Sequence, residues 1–109
     1  MITCFIRYEI DPFKIEAFEQ YCRTWGQAIP RCGADLIGYY APHEGSATTA
    51  YGVYNIESLA AYEAYRARLR DDAQGRENYA FAKREQFIRR EERIFLRAAS
   101  APHAPLIRP

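Results

Sequence analysis

The sequence predicts a single α+β domain in which helices pack on one face of a four-stranded antiparallel sheet. The first observation is length, because 109 residues bury enough surface for one core and not for two. The second is periodicity, since some apolar segments have the short pattern of strands and others repeat at helical steps. The third is the resulting order of strand, helix, strand, strand, helix, short helix and strand, which is that of a split βαβ fold.

The first strand is predicted over residues 2–10, where every second residue is apolar or aromatic and one face is therefore buried. Asp11 offers a side-chain oxygen as a helix cap and Pro12 suits a first helical position, so a helix is predicted to begin here. Gly26 and Pro30 mark its end. Steps of three and four place one stripe of this helix against the sheet: Ile15, Phe18, Cys22, Trp25 and Ile29.

The middle of the chain is predicted to form a hairpin. Residues 34–40 form its first strand and end in two tyrosines, and residues 49–54 resume with β-branched and aromatic residues. Residues 41–48, with the sequence APHEGSAT, are rich in turn formers and form the connecting loop.

Two further helices and a last strand complete the domain. Asn55 or Ser58 caps the second helix, which buries a stripe of Leu59, Tyr62, Tyr65 or Arg66, and Leu69. A short helix over residues 78–87 turns Tyr79 and either Phe81 or Phe87 inward. Strand four covers residues 94–96. The charges in the run 89–93 cancel, which favours a solvated helix end or a paired strand face over an anion site. The domain is expected over residues 1–98, followed by a proline-rich tail over 99–109.

The second face of the sheet is not fully polar. Phe5 lies on that face of strand one, and tyrosines occur on both parities of strands two and three. Because large apolar patches are rarely left exposed on a monomer, the sequence predicts a homodimer in which two sheets pack face to face into a barrel.

Composition excludes several classes of function. A net charge of +1 with 27% charged residues argues against a nucleic-acid partner. No apolar run reaches the roughly 20 residues of a membrane span, and the start MITCFIRYEI has no secretion-signal pattern, so a cytoplasmic location is expected. Three widely spaced cysteines form neither a disulfide framework nor a metal motif. No dinucleotide, P-loop or nucleophile-elbow motif occurs, so no cofactor and no metal are expected.

The chain resembles the NIPSNAP family of the dimeric α+β barrel superfamily. The likeness lies in the first strand running into a proline, Tyr8–Pro12, in GYYAPHEG, Gly38–Gly45, and in SLAAYEAYRARLRDD, Ser58–Asp72. The chain departs from many members at Cys4, Ile6, Thr48, Gly52 and Tyr54, which indicates a divergent bacterial-type branch. The resemblance implies a ferredoxin-like barrel dimer. It implies less about activity, because relatives in the wider superfamily include haem-degrading and quinone-forming monooxygenases and a fold alone does not carry a function across.

His43 and Glu44 form the first candidate site. They lie in the predicted hairpin loop, and a histidine near neutral pH can transfer protons or bind ligands. One histidine without a second at motif spacing is a poor metal signal. The alternative is a loop that caps the sheet or the dimer interface.

Trp25, Tyr8, Tyr40 and Tyr54 form the second candidate site. Tyrosine combines an apolar ring with a hydroxyl that needs a partner when buried, so these residues suit a flat or hydroxylated ligand, and they suit a plain core equally well. Two functions remain open. The favoured one is a module that binds a small apolar or aromatic molecule or another protein. The other is a small monooxygenase that acts on an aromatic substrate or haem between the helices and the sheet.

Overall fold

The computed structural model describes residues 1–100, which form four strands and three helices. The elements are β1 (Ile2–Ile10), α1 (Ile15–Arg31), β2 (Asp35–Tyr40), β3 (Thr49–Ile56), α2 (Leu59–Asp71), α3 (Ala73–Glu85) and β4 (Ile88–Leu96). One antiparallel sheet has the strand order β2-β3-β1-β4. The predicted α+β fold of the ferredoxin-like, split βαβ type is confirmed. Of the predicted tail 99–109, all but the first two residues lie outside the described residues.

The core forms where the helices cover one face of the sheet. Alternate residues of β1 are buried there, as the period of two predicts: Cys4, Ile6, Tyr8 and Ile10. Helix α1 contributes Phe18, Tyr21, Trp25, Ala28 and Ile29. The predicted stripe is therefore confirmed at Phe18, Trp25 and Ile29, whereas Ile15 and Cys22 lie at its margin and are half-buried.

Helix α1 begins later than predicted. Its first residue is Ile15, so the proposed start at Asp11 and Pro12 is wrong. One oxygen of Asp11 accepts a hydrogen bond from the backbone N–H of Phe13 at 2.9 Å, and the other accepts one from the Arg89 guanidinium at 3.3 Å. The Asp11 carboxylate therefore holds a turn and joins it to β4 instead of capping the helix.

The end of α1 and the start of α2 also differ in detail. Gly26 and Pro30 lie inside α1, which continues to Arg31. Ser58 is the cap of α2, since its hydroxyl oxygen accepts a hydrogen bond from the backbone N–H of Ala61 at 3.1 Å. Asn55 lies within β3. Leu59, predicted to be buried, is 60% exposed, and the open choice between Tyr65 and Arg66 resolves to a buried Tyr65.

Helix α3 is longer than predicted and begins five residues earlier, at Ala73. The Asp72 carboxylate caps it by accepting a hydrogen bond from the backbone N–H of Gly75 at 2.9 Å. Phe87, predicted to belong to this helix, follows it and is fully buried.

Strand β4 is also longer than predicted, because the charged run 89–93 belongs to it. Residues that pair across a sheet share a face, so the register shows on which face of the sheet each charged residue lies. Arg93 pairs with Ile6 and Glu91 with Tyr8, which places both on the face that the helices cover. The run is therefore a paired strand face and not a helix end.

The other face of the sheet, called the open face below, has no helix on it within residues 1–100. A row of Gly38, Val53, Phe5 and Ile94 crosses all four strands in register. Large apolar or aromatic side chains on this face remain substantially exposed: Tyr40, Tyr51, Ile94 and Leu96. One end of the face is charged, with Arg7 and Glu92 3.8 Å apart. Within residues 1–100, no helix combines the length and apolar character needed to cross a membrane.

Candidate functional site

A cavity of about 30 Å³ lies between the sheet and helices α1 and α2. A space of this size holds about one or two water molecules. Its wall is mainly aromatic, and we call six of the residues the tyrosine cluster: Tyr8, Tyr21, Tyr39, Tyr54, Tyr62 and Tyr65. Three charged side chains also line the cavity and remain partly exposed, and we call them the charged mouth: Arg66, Glu91 and Arg93.

Tyr8 and Tyr39 bring two hydroxyl groups together in this wall. Their oxygens are 3.3 Å apart, and either hydroxyl can be the donor. Tyr39 reaches this position over Gly52, where an added Cβ would lie 2.6 Å from its ring. Burial raises the pKa of both Tyr8 and Tyr39, so both hydroxyls stay protonated at neutral pH.

Helix α1 supplies Tyr21 and Trp25 to the wall. Their rings meet edge to face, with centroids 5.6 Å apart, and Trp25 meets Tyr79 in the same way at 5.0 Å. Such pairs stabilise a packed aromatic wall beyond the effect of burial alone. Tyr79 itself is 45% exposed, so the outer end of this wall reaches solvent.

The charged mouth contains an ion pair within β4. The Arg93 guanidinium lies 3.0 Å from the Glu91 carboxylate, and their side chains are 30% and 33% exposed. Burial alone would lower the pKa of Arg93, but Glu91 and the nearby tyrosines raise it overall, so Arg93 is a permanent cation.

Arg66 stands on the helix side of the mouth. Its guanidinium donates a hydrogen bond to the Tyr62 hydroxyl oxygen at 3.0 Å and lies 5.6 Å from the centroid of the same ring. This is the geometry of a cation–π contact. The mouth therefore carries two cations, Arg93 paired with Glu91 and Arg66 held against the Tyr62 ring.

Two kinds of polar feature bear on the chemistry of the cavity, namely unpaired buried groups and clusters of metal-binding side chains. Within residues 1–100, every buried side-chain nitrogen or oxygen has a hydrogen-bond partner. In the same part of the chain, no three His, Cys, Asp or Glu side chains gather as a metal site. The cavity wall consists of aromatic surfaces, neutral hydroxyls and charges at the mouth.

The structure brings together three of the six predicted site residues. Tyr8, Tyr54 and Trp25 line the cavity. Tyr40 is 52% exposed and lies on the open face. His43 and Glu44 are exposed in the loop 41–48, outside the cavity wall, and neither side chain bonds to another described residue. The predicted role of His43 stays a prediction.

Sequence reasoning missed Tyr39, Arg66, Glu91 and Arg93. A bulge between Leu36 and Gly38 sets which of Tyr39 and Tyr40 faces inward, and no residue pattern reveals it. For β4 a signal exists, since the run alternates once it is treated as a strand: Glu91, Arg93 and Phe95 share one face and Arg90, Glu92 and Ile94 the other.

Solved structures similar to this one include two kinds of protein. A NIPSNAP family protein with unknown function from Agrobacterium tumefaciens is 20% identical, with a TM-score of 0.76 over 98% of this chain and 94% of that one. An uncharacterized NIPSNAP domain protein from Burkholderia xenovorans is 25% identical, with a TM-score of 0.73 over 94% and 100%. A putative antibiotic biosynthesis monooxygenase from Nitrosomonas europaea is 12% identical, with a TM-score of 0.70 over 92% and 100%.

These similarities agree with the sequence motifs. The monooxygenase likeness is one of fold alone at such low identity. No curated protein matches the chain. The NIPSNAP family model, by contrast, matches residues 3–102, which is nearly the whole sequence. The chain therefore belongs to the NIPSNAP family.

Proposed function

We propose that this protein is a homodimeric binding module and that each subunit takes a small aromatic molecule at the tyrosine cluster. The observation that carries the proposal is the cavity itself, in which neutral hydroxyls and aromatic rings meet under a charged mouth. Ligand sites are commonly apolar and aromatic clefts with a few convergent polar groups that fix orientation.

The cavity has to widen before a ring can enter, because about 30 Å³ is far less than a typical ligand pocket. The side chains that must move are those at the mouth. Arg66 is exposed and Tyr79 is 45% exposed, so both can swing outward without unpacking the core. The buried hydroxyls of Tyr8 and Tyr39 would then meet a hydroxyl or carbonyl of the ligand.

The homodimer is proposed from the open face. Apolar side chains from all four strands lie there without a cover in residues 1–100, among them Phe5, Ile94 and Leu96. A two-fold axis would place the same patch of each subunit against the other, which buries this surface on both.

Trp25 provides a reporter for the ligand site, because it is the chain's only tryptophan and it lines the cavity. Titration with phenol, a small neutral aromatic, should change Trp25 fluorescence in a saturable way. Tyr8→Phe, which removes a hydroxyl from the cavity, should weaken phenol binding by about 3-fold to 10-fold, the usual value of one neutral hydrogen bond.

Tyr51→Phe is the matched control, since Tyr51 is also a strand tyrosine but lies on the open face. It should bind phenol as the unchanged protein does. A fluorescence change that never saturates, or one that Tyr8→Phe and Tyr51→Phe reduce equally, would show that phenol does not enter the tyrosine cluster.

A monooxygenase is the second candidate, favoured by the likeness of fold to the Nitrosomonas europaea protein and by the cavity's place between helices and sheet. Haem is the less favoured substrate, because a porphyrin requires far more widening of a cavity of about 30 Å³ than a single ring does. The remaining form of this candidate acts on a small phenol or quinol. Oxygen uptake with hydroquinone that Tyr8→Phe abolishes and Tyr51→Phe preserves would support it, and no uptake would leave binding as the function.

A further inference from the structure

We infer that the ligand site selects aromatic anions, with the ring inside the tyrosine cluster and the negative group held at the mouth by Arg66 and Arg93. This inference rests on the proposed function and adds the class of ligand. It follows from the balance of charge, the free donors at the mouth and the environment of the interior.

The charge balance at the cavity favours an anion. The cavity wall carries two guanidinium groups, on Arg66 and Arg93, and one carboxylate, on Glu91. Its ionised side chains therefore sum to one positive charge. Each guanidinium has five N–H donors in a planar fork that matches a carboxylate. Arg66 donates to Tyr62 and Arg93 donates to Glu91, and neither bond uses all five donors of its guanidinium.

The interior excludes the same charge. Burial raises the pKa of Tyr21, Tyr54 and Tyr65 above the ordinary value, which means that this space disfavours an anion. A ligand that is both aromatic and anionic therefore has one orientation available, with its ring inward and its charged group outward. A phenolate, whose charge is on the ring, fits this division less well than a carboxylate attached to a ring.

Glu91 has a specific part in this arrangement. Its carboxylate accepts a hydrogen bond from the Arg93 guanidinium at 3.0 Å and so uses part of the donor set that a ligand carboxylate would use. The negative charge of Glu91 therefore lowers the attraction of Arg93 for an incoming anion. Removing its charge should strengthen anion binding, which a purely structural ion pair would not do.

Benzoate and benzamide are the probes, since they share a ring and a shape and differ in charge. Trp25 fluorescence and the shift in melting temperature should both report benzoate binding about tenfold or more tighter than benzamide, as expected for charge-assisted hydrogen bonds. Added salt should weaken benzoate binding and leave benzamide binding nearly unchanged, because the mouth is partly exposed to solvent.

Three variants test the residues, each first checked for an unchanged circular dichroism spectrum. Arg66→Gln should lower the ratio of benzoate affinity to benzamide affinity by about tenfold. Arg70→Gln is the control, because Arg70 is also exposed on α2 but lies outside the cavity wall. This substitution removes the same charge and should leave benzoate affinity unchanged. Glu91→Gln should raise benzoate affinity by several-fold. Arg93→Gln should lower benzoate affinity in the same way as Arg66→Gln. If Arg93→Gln is poorly folded, the pair Glu91→Gln with Arg93→Gln should bind benzoate more weakly than Glu91→Gln does, because only Arg66 then remains to hold the carboxylate.

Equal affinities for benzoate and benzamide, in the presence of saturable phenol binding, would overturn the anion selectivity and leave the proposed binding site standing. So would a loss of benzoate binding in Glu91→Gln. Absence of saturable binding by phenol, benzoate and benzamide alike would overturn the proposed function and this inference with it.

Discussion

The two faces of the sheet use the same kinds of side chain in opposite ways. On the helix-covered face, Tyr8 and Tyr54 are at most 3% exposed and meet neighbouring rings and hydroxyl groups. On the open face, Tyr40 and Tyr51 are 52% and 38% exposed, and Ile94 is 52% exposed. Within residues 1–100, one face is thus covered by helices and the other is not. The proposed ligand site lies on the first face and the proposed subunit contact on the second.

The largest effect is expected when an aromatic ring is removed from the helix-covered face. Phe18 is fully buried and contacts the rings of Tyr8 and Phe87. Phe18→Ala should lower the free energy of unfolding by about 3 to 5 kcal/mol, because it leaves a cavity in the core. Urea unfolding measures this loss.

Phe13→Ala is the control for that measurement, since Phe13 is 95% exposed just before α1. It should change the free energy of unfolding by less than about 0.5 kcal/mol. Similar losses in the two variants would mean that the covered face is not the core.

A charge on the open face should separate the subunits. Ile94→Lys places a cation in the middle of the apolar row, where a second copy would have to bury it unpaired. The dimer should weaken by about 100-fold or more, while the fold of each subunit persists. Light scattering should change from a particle of twice the 12.6 kDa chain mass to a monomer.

Leu59→Lys is the matched substitution, because Leu59 is 60% exposed but lies on α2, on the other side of the molecule. It should leave the particle mass unchanged. A particle of 12.6 kDa for the unsubstituted protein at micromolar concentration would contradict the homodimer directly.

The smallest expected effect concerns ion pairs on the two sides. Asp72 lies between α2 and α3 and accepts hydrogen bonds from the Arg31 guanidinium at 2.9 and 2.7 Å. These bonds, and then the one from Gly75, lower the pKa of Asp72 below its ordinary value of 3.8. A lowered native pKa stabilises the fold fully above the ordinary value and loses that contribution as the pH falls through the native pKa.

Asp72→Asn keeps the cap of α3 but removes the charge, so it should lower stability at pH 7 by more than at pH 3. Urea midpoints at the two pH values measure the difference. Glu92→Gln on the open face should lower stability little at either pH, because Glu92 and its two partners, Arg7 at 3.8 Å and Arg90 at 3.1 Å, are all about half exposed or more. An equal loss of stability at pH 7 and pH 3 in Asp72→Asn would show that the negative charge of Asp72 does not stabilise the fold.

Much of the covered face could be predicted from the sequence, because burial imposes a period. The alternation of β1 and the stripe through Phe18 and Trp25 both follow from it. The start of α1 could not be predicted, since the oxygens of Asp11 are used by Phe13 and by Arg89, which is distant in sequence. Local pattern contains no information on such a partner.

The candidate site was predicted only in part for a similar reason. Trp25, Tyr8 and Tyr54 belong to strong periodic segments and were identified as candidates. The charged mouth depends on the pairing of β4 with β1. In the sequence, both faces of this strand carry charged residues, so the run 89–93 shows no alternation of apolar and polar residues that would indicate a strand. Tyr39 lines the cavity where Tyr40 was predicted, because one bulged residue in β2 sets which of the two tyrosines faces inward.

The small size of the cavity also has a kinetic consequence. On the proposed function, a ring enters this space of about 30 Å³ only after Arg66 and Tyr79 at the mouth have moved, so opening would come before binding. The observed association rate should then level off at high ligand concentration, at the rate of opening, and not rise without limit as in a simple collision. A pulse of ligand shorter than the opening time would then fill few sites, however high its concentration.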